Sequence, residues 1–147
     1  PVLRDRGPDL MAVNFNTASV LARVRQAAMR GVVRGTEAVR TEAVSLILGT
    51  PKTGRIYRRR GVEHQASAPG EPPASDTGRL VASIRTSYET EALVGRVTAS
   101  TEYAAALEYG TARMEPRPFM RPALANKRQE IEAAVAAEVA RVLGESA

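Results

Sequence analysis

At 147 residues, 44% hydrophobic and 25% charged, the chain has the size and balance of one globular domain, which excludes wholesale disorder and leaves too little chain for two ordinary cores. With no cysteine and one histidine, His64, it carries no disulfide, no thiolate metal site and no set of imidazoles for a metal centre within one chain. The net charge is +5, from nineteen arginines and two lysines against 16 acids; this balance favours contact with something anionic, although a GC-rich coding sequence produces it equally well.

No run of about 18 apolar residues is present, so no membrane span is expected, and the N-terminal PVLRDRGPDL lacks the apolar stretch of a signal peptide. A cytoplasmic origin is expected. The core must be assembled from small pieces, because there are 25 alanines, no tryptophan and only six aromatic residues. Met11 begins a stretch, MAVNF, that reads as a natural start, so residues 1–12 are expected to be a flexible leader and 13–147 a single α+β domain.

From Thr17 to Leu48, Leu21, Val24, Ala28, Val32, Gly35, Val39, Ala43 and Leu46 recur every three or four positions and form one helical stripe. Asn16 or Thr17 can cap its start, and Gly49 followed by Pro51 is a stop signal. Gly31 and Gly35 lie one turn apart, each costing about 1 kcal/mol relative to alanine in a helix. Such a pair is expected where another backbone packs close or where the helix bends.

RIYRRR, Arg55 to Arg60, reads as an edge strand protected by its charge. Next comes a proline- and glycine-rich stretch, expected to be an extended arm over about 61–77. In polyproline II form, at about 3.1 Å per residue, Ala66 to Ser75 would project roughly 30 Å, too far for so small a domain to bury. Docking on a neighbouring subunit is therefore expected.

Asp76 or Thr77 is then expected to cap a short helix that puts Leu80 and Ile84 on one face. Ile84–Glu89 and Leu93–Ser100 read as a β-hairpin, and Ser100-Thr101 as the cap of a helix from Tyr103 to Tyr109. Gly110 suits a left-handed helix end, with Thr111 bonding the turn, and Phe119 is expected to pin the linker to the core. Pro122 opens a last helix in which Leu124, Ile131, Val135, Val139 and Val142 line one face, ending at Gly144. The expected class is α+β, with a long N-terminal and a C-terminal helix packed on one face of a small antiparallel sheet.

Catalytic patterns are absent or incomplete. GTPKTGR, Gly49 to Arg55, has the glycine spacing of a phosphate-binding loop, but Arg55 and Ile56 replace the required lysine and hydroxyl, and the segment follows a helix instead of a strand. His64, Ser67 and Asp76 suggest a triad but fall in a glycine- and proline-rich stretch with no rigid scaffold. Glu130, Glu132 and Glu138 read as the solvated face of the last helix. No catalytic residue, metal ligand set or cofactor motif is expected, and the protein is expected not to be an enzyme.

Three ordered blocks remain: ASAPGEPPASDTGRLVASI, TEYAAALEYGT and PRPFMRPAL. Together they resemble the gene-product-ten-like neck or tail-component proteins of long-tailed double-stranded DNA phages and prophages, over Thr53 to Leu124. The family's proline-glycine arm matches Ser67, Pro69, Gly70, Pro72 and Pro73, and its helix start matches Thr77, Gly78, Leu80, Ser83 and Ile84. Its second block matches Tyr103, Ala104, Glu108, Gly110 and Thr111, with Tyr109 where phenylalanine is common. Its last block matches Pro116, Pro118, Phe119, Arg121, Pro122 and Ala123.

The resemblance implies a structural virion protein forming a six- or twelvefold homo-oligomeric ring between head and tail. Its expected partners are adaptor or stopper proteins and a tail terminator or tube. The arm and Arg58, Arg59 and Arg60 are the expected subunit interface, with the arginines meeting acidic neighbours or, non-specifically, DNA in the channel. Alternatives are a tail terminator or tail-completion protein and a small basic nucleic-acid-binding protein. The last lacks helix-turn-helix spacing, a zinc site or an aromatic platform.

Overall fold

A computed structural model describes residues 16–144; the expected leader lies outside them. In chain order the elements are α1 (Thr17–Gly49), β1 (Ile56–Arg59), β2 (Val62–Gln65), α2 (Arg79–Ser83), β3 (Ile84–Glu89), β4 (Val94–Ala99), α3 (Ala104–Tyr109) and α4 (Met120–Gly144). Among the described residues no helix is long and apolar enough to cross a membrane.

The class is α+β, and the long helix forms where its pattern and caps predict. Asn16 accepts a hydrogen bond from the Ser19 N–H at 3.1 Å, and the chain turns extended at Thr50. The buried stripe agrees with expectation at Gly35, Val39 and Ala43 but diverges at the ends: Leu21 is 59% exposed, while Ala27, Gly31, Thr36 and Ile47 are buried. Gly31 is buried where α4 approaches closely, Thr36 where Gly95 lies on it, and Ile47 in the core with Leu80, Ile84 and Phe119.

α4 runs antiparallel to α1. A Cβ built on Gly31 would lie 2.5 Å from Val135 Cα, and one on Gly35 would lie 3.0 Å from both γ-carbons of Ile131. Of the two readings of the glycine pair, close packing is the one realised. Glu138 departs from the solvated face assigned to it: it is only 5% exposed and takes Arg30 at 2.9 Å, Arg34 at 2.8 Å and Arg141 at 3.5 Å. Leu124, expected to face inward, is half exposed.

The single small sheet is replaced by two separate antiparallel ribbons, β1-β2 and β3-β4. The β3-β4 ribbon, with Ile84 opposite Ala99 and Glu89 opposite Val94, lies on α1. Gly95 makes this possible, since a Cβ there would collide with Thr36 and crowd Val32. The Thr86 and Tyr88 hydroxyls donate to Glu37 at 2.8 and 2.6 Å, and these bonds, Tyr88 foremost, hold the Glu37 carboxyl below its ordinary pKa.

The core joins the C-terminal half of α1 (Val39, Ala43, Ile47) to Leu80, Ile84, Ala104, Phe119 and Ala123. Leu80 and Ile84 face it together, as their spacing predicts, and Phe119 is fully buried.

Candidate subunit interface

The β1-β2 ribbon pairs Ile56 with Gln65, Tyr57 with His64, Arg58 with Glu63 and Arg59 with Val62. Arg60 and Gly61 close it with φ of 50° and 80°, the doubly left-handed turn whose twist suits a tight hairpin. Side chains alternate between its faces. On one, Tyr57 stacks on His64 with ring centres 5.6 Å apart, and Asp76 receives Arg59 and lies 3.5 Å from His64 Nδ1. The other face presents Ile56, Arg58, Glu63 and Gln65, all exposed.

Expectation and structure part company at the arm. Val62–Gln65 is a strand, and the residues after it lie along the protein's own body. The Ala66 N–H donates to the Arg55 carbonyl and the Gly70 N–H to that of Pro116, at 3.0 and 2.9 Å. Arg117 Nε donates to the Ser67 carbonyl at 3.2 Å. Glu71 accepts from the Ala68 and Thr53 N–H groups at 2.8 and 3.1 Å and from the Thr53 hydroxyl, and the Thr53 hydroxyl bond leads in lowering its pKa.

Ser67 and Pro73 are buried, Pro72 is half-buried, and Pro69 and Gly70 are exposed. The projecting arm is thus corrected to a strap. Reach per residue measures how far an extended segment can go, but its carbonyls and amides find partners wherever another irregular segment lies alongside, and here Pro116 and Arg117 do.

Of the remaining family-like residues, Thr77, Gly78, Leu80 and Tyr103 line one cleft with Ser67 and Pro73 of the strap. α2 starts after Gly78, at φ 72°, with no side-chain cap: Asp76 is engaged by Arg59, and Thr77 is exposed. Nor do Ser100 and Thr101 cap α3 with their hydroxyls. Ser100 Oγ donates to the Ser83 carbonyl at 3.3 Å, Thr101 gives its carbonyl to the Ala104 N–H, and the Thr101 hydroxyl is buried without a partner among the described residues.

Half-buried Tyr103 immediately precedes α3. Gly110 ends that helix at φ 76°, its N–H bonded to the Ala106 carbonyl at 2.8 Å, and a Cβ there would lie 2.8 Å from the Met114 carbonyl oxygen. Thr111 Oγ1 accepts from the Arg113 N–H at 3.2 Å, bonding the turn as expected.

Glu108 is the centre of this region. From α3 its buried carboxylate reaches the start of α4, where it accepts from the N–H groups of Phe119, Met120 and Arg121 at 2.8, 2.9 and 2.9 Å and from Arg121 Nε at 3.1 Å. These N–H groups have no partner within their own helix, and the helix dipole favours an anion there. Burial alone would raise the Glu108 pKa, but the three backbone bonds and Arg121 outweigh it and hold the group below its ordinary value. Arg121 also lies over the Tyr109 ring, 5.0 Å from its centre, and Pro122 stands in the first turn of α4.

No protein-family model, curated protein or solved structure matches the chain. Of the triad residues, His64 and Asp76 are brought together, but no hydrogen bond among the described residues joins Ser67 to His64. Likewise no group of three His, Asp or Glu side chains among these residues is placed to hold a metal ion. On the basic ribbon Ile56 and Val62 are each 58% exposed beside Arg58, Arg59 and Arg60. Sequence reading found those arginines. It missed Glu71 and the buried role of Glu138, for which the only local hint is Arg141 one turn on.

Proposed function

We propose that the chain is a structural subunit without catalytic chemistry that forms a six- or twelvefold ring in the head-to-tail neck of a long-tailed phage or phage-like particle. Its place is the virion, around the DNA channel, between adaptor or stopper proteins and a tail terminator or tube. The observation that carries the reading is the convergence of the three family-like blocks. Gly70 of the first bonds the Pro116 carbonyl of the third, Glu108 of the second caps the helix begun by the third, and Leu80, Ala104 and Phe119 share one core.

The correction of the arm moves the proposed contact. The strap meets its own body, so the surface offered to a neighbour is the β1-β2 ribbon with Arg58 and Arg60, together with the exposed first turns of α1, where Val20 and Leu21 face solvent. Repeated head-to-tail contacts of this kind close a ring when the rotation between copies closes. Sedimentation and negative-stain microscopy of the purified protein test the reading. Closed rings of six or twelve copies are expected; a protein that stays monomeric at every concentration, alone and with tail or adaptor proteins, overturns it.

A further inference from the structure

The β1-β2 ribbon is a sheet of two strands, each with its outer edge bare. The phase of its ladder follows from the bond between the Ala66 N–H and the Arg55 carbonyl, together with the Arg60-Gly61 turn. Pairs 57/64 and 59/62 are the hydrogen-bonded ones, and beyond them the Ala66 N–H meets the Arg55 carbonyl while the Ala66 carbonyl takes the Gly54 N–H, so the N–H and C=O groups of Ile56 and Arg58 point out from β1 and those of Glu63 and Gln65 point out from β2. No hydrogen bond among the described residues meets any of these outward backbone groups.

Such edges invite another strand, and an isolated two-stranded ribbon is marginally stable by itself. The two edges also carry opposite charge at equivalent places. Arg58 lies on the β1 edge and Glu63 on the β2 edge, and neither is in an ion pair among the described residues. A charged edge repels its like and accepts its opposite, so identical edges are disfavoured while β2 of one copy suits β1 of the next.

We propose that the ribbons of neighbouring copies join edge to edge, β2 of one against β1 of the next, in a continuous antiparallel sheet around the ring axis. The inference rests on the ring reading and names the element that closes it. Rotation about an axis along the strands preserves each strand's direction, so every new neighbour is antiparallel, as within the hairpin. Main-chain bonds supply the contact, and the pairing of Arg58 with Glu63 selects unlike edges.

The test uses the full chain and two kinds of variant. Glu63→Pro removes one outward N–H that the hairpin itself does not use, a place where a strand tolerates proline. Circular dichroism unchanged with loss of the ring species in sedimentation is expected. A ring-forming Glu63→Pro protein overturns edge pairing while leaving the ring reading in place; a monomeric parent protein overturns both.

The second arm holds even if proline unfolds the ribbon. Arg58→Glu makes both edges acidic and Glu63→Arg makes both basic, so each protein alone should lose the ring, and an equimolar mixture should recover it by alternation. Within each hairpin the like charges persist after mixing, so recovery can come only from contact between copies. Rings from either variant alone, or none from the mixture, overturn the proposal.

Discussion

Gly31 and Val135 face each other across the α1–α4 seam so closely that a methyl group on the glycine would sit 2.5 Å from the Val135 Cα. Backbone, not a side chain that could swing away, occupies the space. Gly31→Ala is therefore expected to destabilise despite the roughly 1 kcal/mol that alanine contributes in a helix, because overpacking typically costs about 1–3 kcal/mol. Gly49→Ala, whose Cβ would meet only Ser45 Oγ at 3.8 Å, is the control and should be neutral or mildly stabilising. Urea unfolding monitored by circular dichroism decides between them; equal midpoints would mean the helices can part at no cost.

Glu108 holds α3 to α4 through backbone N–H groups, so removing its side chain leaves buried donors bare. Glu108→Ala should cost about 2–4 kcal/mol, as expected for losing charge-assisted bonds to otherwise unpaired donors, and should fray the first turn of α4 in hydrogen exchange. Exchange at 119–121 no faster than in the parent protein would refute the capping role.

The same carboxylate sets a pH dependence. Its pKa is lower folded than unfolded, so the unfolded chain binds more protons in the window between the two values, and stability there rises with pH. The contribution is complete above the ordinary glutamate value of about 4.3 and is lost as pH falls through the folded value. Glu37 and Glu138, held down chiefly by bonds from Tyr88 and Arg30, act in the same direction. Thermal unfolding followed from pH 7 to pH 3 should show a falling midpoint below about pH 4.5, with a shallower fall in Glu108→Gln. A slope unchanged by that substitution would assign the acid sensitivity to the other carboxylates.

A strap bonded to Pro116 and Arg117 should resist proteases even in the monomer. Proteinase K is expected to spare 66–76, and Arg117→Ala, which removes the bond to the Ser67 carbonyl, should speed cleavage there several-fold. Rapid cutting of the parent protein within 66–76 would restore the projecting arm.

Arg58 and Arg60 are exposed on the ribbon, whereas Arg59 is tied to Asp76. Reversing all three charges should abolish assembly and leave a folded monomer. Particles that assemble normally but release their genome slowly would instead place these side chains against DNA.

Elements whose order depends on neighbours along the chain are legible in the sequence. The caps and stops of α1, the β3-β4 hairpin, the helix end at Gly110 and the burial of Phe119 all follow from signals within a few residues of where they act. Even the glycine pair announced either a close approach or a bend, although not which of the two.

Partner choice across long stretches of chain was a different matter. Asp76, a good cap by local rules, was drawn to Arg59; Glu138, a good surface residue by periodicity, was enclosed by arginines from α1; and the strap met a loop 50 positions onward. Composition and periodicity determined the helices and the β3-β4 ribbon, because those bonds close over short distances, but not β2, which was read as part of the arm. Only the tertiary structure decided which charges meet and whether the proline segment stands away from the body, because a competing partner's position is set by the packing of every element between.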